Sequence, residues 1–207
     1  MWGMRWSLRR FLGATCFLAV LSPGAFLGML QLTGNFHEVI PGELYRSAQL
    51  APAQIAAYQK QYGIKTIVNL RGEGRGKGWY EAEVEEARRG GIEHINFRMS
   101  PRRELATERA RELLAIMDAA PKPLLIHCKA GADRSGLAAA LYLAALKKAG
   151  EKATGQLSFF FGHIPLWFIP EYAMDRSLEA LGRSLGFNRE PTPTDGHDAP
   201  ADRPSTS

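Results

Sequence analysis

Apolar and polar positions change period along this chain, from twos to threes and fours and back, and the changes mark its elements. Phe36 to Tyr45 alternates around Pro41-Gly42 and predicts two short strands. Pro52 to Tyr62 has helical spacing, with Pro52 in the first turn and Gly63 at the stop. Lys65 to Leu70 is a β-branched buried strand, Trp79 to Arg89 an acidic amphipathic helix closed by Gly90-Gly91, and Ile92 to Phe97 an alternating strand. Glu108 to Ala119 predicts a helix with Thr107 as its candidate cap; Leu124 to His127 is a strand, and Leu137 to Ala149 an Ala/Leu-rich helix. Strands and helices in alternation predict an α/β fold, a mostly parallel central sheet flanked by helices. Ligands of such sheets bind beyond the carboxyl ends of strands, and Cys128 falls at one.

The last third predicts helices over Lys152 to Phe161 and Pro170 to Leu185. Between them Phe159 to Ile169 is unusually aromatic, which fits packing of the last helices, an apolar wall near the site, or a face resting on a membrane. His163 in that run reads as a packed or capping histidine.

The two ends differ from this middle. Arg5, Arg9 and Arg10 precede Phe11 to Leu32, which is uncharged and mostly apolar. Such a stretch, at about 1.5 Å per residue, spans a bilayer core of about 30 Å. The arginines orient it with the N-terminus in the cytoplasm and the rest outside. The chain thus divides into a membrane anchor or signal segment (1–34), a domain (35–187) and a tail (188–207) rich in Pro, Thr, Asp and Ser that reads as disordered. A cleaved signal peptide is the alternative, but Ser22-Pro23-Gly24-Ala25 is a poor cleavage site; the expected location is the cell inner membrane with the domain in the periplasm.

The net charge of +5 does not mark a nucleic-acid binder: three of those charges lie in the N-terminal segment, leaving 23 Lys/Arg against 21 Asp/Glu, with no basic stripe interleaved with aromatics. The two cysteines, Cys16 and Cys128, lie in such different settings that no disulfide between them is expected. With no second pair at zinc-ligand spacing, neither a metal nor another cofactor is expected.

The candidate chemistry lies in Ile126-His127-Cys128-Lys129-Ala130-Gly131-Ala132-Asp133-Arg134-Ser135-Gly136. Strand, tight loop and helix succeed one another here. Such a loop aims consecutive N–H groups and a helix N-terminus at one point, a setting for a dianion. Cys128 at its start sits in that positive field, which favours a thiolate nucleophile. Arg134 can hold two phosphate oxygens with its planar fork. A Walker-type loop would need Gly-Lys-Ser/Thr, which is absent at this position.

His-Cys-x-x-Gly-x-x-Arg-Ser resembles the signature of the protein tyrosine phosphatase superfamily. Tyr45-Arg46-Ser47-Ala48-Gln49 and Gly63 to Arg71 resemble the early part of bacterial dual-specificity-like phosphatases. The resemblance implies a cysteine phosphatase fold and a metal-free phosphoric monoester hydrolase. Cys128 would form a cysteinyl-phosphate, while Lys129, Ala130, Gly131, Ala132, Asp133 and Arg134 line the phosphate. Ser135 would ease departure of the thiolate, and His127 would hold the Cys128 backbone. Relatives supply a general-acid Asp from a loop upstream; here that loop, Arg98 to Glu104, holds none. Glu104 and Asp133 are the candidates, with Asp133 preferred because myotubularin-like lipid phosphatases carry an Asp there. Arg102 and Arg103 are candidate contacts for anionic parts of a substrate, as are Arg75 and Lys77 in the glycine-rich stretch Arg71 to Gly78. The implied partner is a phosphoprotein substrate or, alternatively, a phospholipid or phosphoinositide head group. A catalytically inactive phosphate-binding module is the non-enzymatic alternative.

Overall fold

The computed structural model describes residues 22–186. Five strands form one sheet in the order β1-β2-β5-β3-β4: β1 (His37–Ile40), β2 (Leu44–Ser47), β3 (Thr66–Asn69), β4 (Glu93–Asn96) and β5 (Leu124–His127). Only β1 and β2 pair antiparallel; β2·β5, β5·β3 and β3·β4 are parallel. The fold is therefore the α/β arrangement expected from the alternation of periods.

The two-residue period sets the two faces. Val68, Leu70, Leu124 and Ile126 face one core with α3 (Thr107–Ala119), α4 (Asp133–Leu141) and α6 (Ala173–Leu185). Tyr45, Ile67 and Leu125 face the other, over α1 (Pro52–Tyr62) and α2 (Gly78–Arg89). Leu124 and Ile126 are fully buried, as a central parallel strand requires. Burying each such side chain contributes about 1.5–3 kcal/mol.

The last third departs from the expected helices. Lys152 to Phe161 is not one helix: α5 (Gly150–Thr154) ends at Gly155, and Phe159–Phe161 is a single 3₁₀ turn closed by Gly162 at φ 84°. Tertiary partners explain the break. Phe159 stacks on Phe26, Phe160 and Phe161 both meet the His37 ring, and Phe161 also lies under Arg46. The Ala/Leu-rich helix ends in a π turn at Tyr142–Leu146, where the Tyr142 hydroxyl reaches Glu43 at 2.5 Å.

The apolar N-terminal span also needs correcting where it can be seen. Residues 22–32 are helical, but Leu30 is buried in the domain, Phe26 stacks on Phe159 and Gln31 donates to the Ala130 carbonyl. Among the described residues no helix is long and apolar enough to cross a membrane. The rest of that span, Cys16 and the 188–207 tail lie outside the described residues.

One buried charge ties α2 to the sheet. Glu83 is 2% exposed, and its Oε1 accepts from His94 Nε2 (2.8 Å) on β4 and His127 Nε2 (3.1 Å) on β5. Gln49 donates to its other oxygen. Burial would raise the Glu83 pKa, yet the His127 charge and the hydrogen bonds from His127, His94 and Gln49 bring it down from 4.5 to about 2. The folded carboxyl is thus more acidic than the unfolded one. Its stabilisation is complete above pH 4.5 and is lost as pH falls through about 2. A shift of this size corresponds to roughly 3 kcal/mol. In urea melts between pH 6 and pH 2 (about the carboxyl range), Glu83→Gln is expected to flatten the acid loss of stability; an unchanged slope would show that Glu83 does not carry it.

Candidate active site

The loop from Cys128 to Arg134 joins β5 to α4, and its shape is imposed from behind. Four successive carbonyls are captured by donors outside it. Lys129 O accepts from Gln49 N (3.2 Å), Ala130 O from Asn35 Nδ2 (2.9 Å), and Gly131 O and Ala132 O each from Arg46 Nη2 (2.8 Å). In a trans peptide the N–H points opposite to the carbonyl before it. The N–H groups of Ala130, Gly131, Ala132 and Asp133 therefore turn into the hollow of the loop. The Gly131 N–H meets Cys128 Sγ there at 3.2 Å, and Cys128 is 1% exposed. Gly131 sits at φ 73°, and a Cβ on it would stand 2.5 Å from Ala48 N. Only glycine allows both the turn and this approach to β2.

Arg46 holds this arrangement and has no exposed surface. Its Nη1 donates to Gln156 O (2.7 Å) and Oε1 (3.0 Å), and its guanidinium lies 4.1 Å from the Phe161 ring centroid. Burial lowers its pKa to about 9, against the opposing pull of the negative charges of Cys128 and Asp133, so it is still a cation at neutral pH. A positive charge thus stands behind the loop as well as in front of it. Among the described residues the buried Nε atoms of Arg46 and Arg134 have no partner, while Arg134 Nη1 is 3.5 Å from Met99 O.

Cys128, Lys129, Ala130, Gly131, Ala132, Asp133 and Arg134 share the loop and the first turn of α4. Lys129 is exposed. The His127 ring contacts Glu83 through Nε2 (3.1 Å), with Nδ1 3.4 Å from Cys128 O. The Ser135 hydroxyl is buried and donates to Ser47 O at 3.4 Å, toward β2. Glu104 stands apart on the loop after β4, exposed and paired with Arg176 at 2.6 Å. Arg102 pairs with Glu171 at 3.0 Å, and Arg75, 84% exposed, pairs with Glu73 at 2.5 Å.

Asp133 belongs to a buried chain that links α4 to α6. Its Oδ1 accepts from His163 Nδ1 (2.8 Å), and His163 Nε2 donates to Asp175 Oδ2 (2.8 Å). Each ring nitrogen thus has a carboxylate beside it. Burial works against the charged ring, but the hydrogen bonds and charges of Asp133 and Asp175 prevail and raise the His163 pKa.

Sequence reasoning did not assign Arg46, Gln49, Asn35 or His163 to the site. No local signal marks Arg46: its place in β2 between β1 and β5, and its full burial, come from the fold, and a buried charge needs a task.

Comparison with known proteins bears on the fold. The tyrosine phosphatase family model matches residues 27–152. TpbA of P. aeruginosa superposes with a TM-score of 0.56 at 22% identity, over 74% of this chain and 92% of that one. A cysteine-to-serine form of TpbA in complex with phosphotyrosine superposes equally well, at 20% identity over 74% of this chain and 91% of that one, TM-score 0.56. The core catalytic domain of the PP-IP phosphatase Siw14 from S. cerevisiae, in complex with citrate, gives 0.52 at 19% identity over 75% and 94%. These likenesses establish a shared fold. No curated protein matches the chain.

If Arg46 shapes the loop, Arg46→Met leaves Gly131 O without its donor and Ala132 O with only the Gly136 N–H, and each buried acceptor left unmade costs about 1–3 kcal/mol. Inorganic phosphate or vanadate binding, read by calorimetry on still-folded protein, is expected to weaken at least tenfold. Arg46→Lys keeps charge without the fork and should restore melting temperature more than binding. Unaltered anion binding in Arg46→Met would remove Arg46 from the site.

Proposed function

The chain belongs to the tyrosine phosphatase family and has the fold of a cysteine-based phosphatase, and from that premise we propose that it hydrolyses phosphate monoesters through a covalent cysteinyl-phosphate on Cys128. The observation that carries this reading is the capture of four consecutive loop carbonyls around Cys128 Sγ. The inward amides and Arg134 hold the three non-bridging oxygens, whose charge persists through the transition state. Cys128 attacks phosphorus in line and the leaving oxygen departs. Water then attacks the phosphocysteine, releasing phosphate and the thiolate, to which the Gly131 N–H donates.

Proton delivery to the leaving oxygen is assigned to Asp133, with His163 as its store. His163 passes its Nδ1 proton to Asp133, and Asp133 passes one to the leaving group. In the second step Asp133 takes the proton of the attacking water. The 2.8 Å contact between Asp133 and the buried His163 ring supports this choice. Glu104 is the alternative, released from an exposed ion pair of little energetic weight.

The substrate is a phosphorylated tyrosine, serine or threonine side chain of a protein. TpbA is seen with phosphotyrosine. A phospholipid head group is the second reading. It is favoured by the exposed apolar side chains of Leu32, Phe160, Trp167 and Phe168. On either reading we place the domain outside the cytoplasm, directed there by an N-terminal segment in which Arg5, Arg9 and Arg10 precede an apolar run.

Three outcomes test these assignments. Rapid acid quench of turnover on an aryl phosphate should leave phosphate on the Cys128 peptide, and Cys128→Ser should lose several orders of magnitude in kcat; activity within about tenfold of wild type would exclude the covalent route. Asp133→Asn is expected to cost roughly 10²–10⁴-fold on alkyl phosphates and far less on nitrophenyl-type esters, with His163→Gln following the same pattern. A loss independent of leaving group would make the chain a structural brace, and a leaving-group-dependent loss in Glu104→Gln alone would move the acid there. Protease added to intact spheroplasts together with their periplasmic fraction should degrade the domain; protection within the spheroplasts would place it in the cytoplasm.

A further inference from the structure

Arg71 is the one arginine beside the loop that the chemistry above does not use. β3 and β5 pair with Asn69 opposite His127, and Leu70 N donates to His127 O at 2.9 Å. Arg71 therefore leaves the sheet alongside Cys128 and Lys129. Its guanidinium is pinned twice. It lies flat over Trp79, 3.4 Å from the ring centroid, and its Nη1 donates to Gln49 Oε1 at 2.8 Å. Gln49 in turn is fixed by its N–H on Lys129 O (3.2 Å) and by its side-chain amide on Glu83.

A pinned arginine beside an anion loop would ordinarily have a carboxylate. Among the described residues none lies within ion-pair distance of Arg71. Its Nε and Nη2 hydrogen bond to no described group, and neither is among the buried unpartnered atoms, so both remain open to solvent. Burial and the neighbouring Arg134 charge push its pKa down, against the pull of Glu83 and Cys128. Two guanidinium groups held near each other repel, and a bound anion of more than one charge relieves that cost.

The loop amides and Arg134 already account for the three non-bridging oxygens of a single phosphoryl group. Arg71, resting on Trp79 and Gln49, stands beside this set of donors and outside it. Resting on the phosphatase reading of Cys128, we propose that Arg71 forms a second anion subsite. Among the head groups of the second reading, the preferred one then carries a second phosphate on a position neighbouring the one that is cleaved. The Trp79 face keeps the arginine extended, and the Gln49 amide sets the direction of its free donors.

The test compares four esters: a vicinal inositol bisphosphate and an inositol monophosphate in solution, and diacyl lipids bearing the same two head groups in phosphatidylcholine vesicles. Wild type is expected to prefer the bisphosphate by at least about tenfold in kcat/KM, and Arg71→Gln to reduce that preference by roughly 10- to 100-fold, the worth of a charge-assisted hydrogen bond. The change should fall mainly in KM. Trp79→Ala, which frees the guanidinium without removing it, should give a smaller loss of the same preference. A bisphosphate preference in both solution and vesicles assigns the subsite to the head group itself; a preference on vesicles alone assigns it to a lipid source. A wild-type preference near one, or an Arg71→Gln variant that loses both esters in proportion, would overturn the subsite while leaving the phosphatase reading intact. Absence of turnover on all four and on an aryl phosphate, with no phosphate trapped on Cys128, would overturn both.

Discussion

Everything at this site depends on one guanidinium that never meets substrate. Peptide groups are dipoles with two ends, and a loop can present only one end to its hollow. Arg46 decides which. By taking the carbonyls of Gly131 and Ala132 it leaves their partner N–H groups facing Cys128, and Asn35 and the Gln49 backbone extend the same inversion to Ala130 and Lys129. A buried arginine is costly to desolvate, and here its hydrogen bonds to backbone carbonyls and Gln156 and its place over the Phe161 ring offset that cost. The same residue contributes positive potential from below. Structure and electrostatics are supplied by one group.

Around this centre, charged side chains come in sets that span separate elements. Glu83 draws His94 and His127 together beneath the sheet end. His163 draws Asp133 and Asp175 together across α4 and α6. In each set a central ion meets two partners at hydrogen-bond distance, which is what makes burial of a charge tolerable. Gln49 connects the first set to the loop and to Arg71, so the rim of the site is continuous with its foundation.

Most of the fold was legible because its elements carry strong local signals. Pro52 and Gly63 bound α1 where the pattern placed it, and the continuous apolar run of β5 marks a central strand. The loop motif was legible for the same reason: its residues are adjacent in sequence. The rest was not, because it is held by pairs far apart. Nothing near Arg46 indicates that Gly131, Ala132 and Gln156 will need its donors. The helix expected over Lys152 to Phe161 failed because three consecutive phenylalanines are claimed by Phe26, His37 and Arg46, and such contacts override helical propensity. His163 looked like a packing residue, and it is fully buried; its two carboxylate partners, 30 and 12 positions away, give it a further role.

The separations themselves bear on how the site comes into being. Arg46 lies 85 residues from Gly131 and 110 from Gln156, and Asn35 lies 126 from Phe161. Contacts this remote close late, after the sheet and helices have reduced the entropy of joining them. A chain emerging from the ribosome N-terminus first holds Arg46 in β2 long before the residues that satisfy it are made. The surroundings of the nucleophile are assembled from residues between Asn35 and Phe161, and a chain that stops short of Gln156 carries the cysteine with only part of the contacts that hold Arg46.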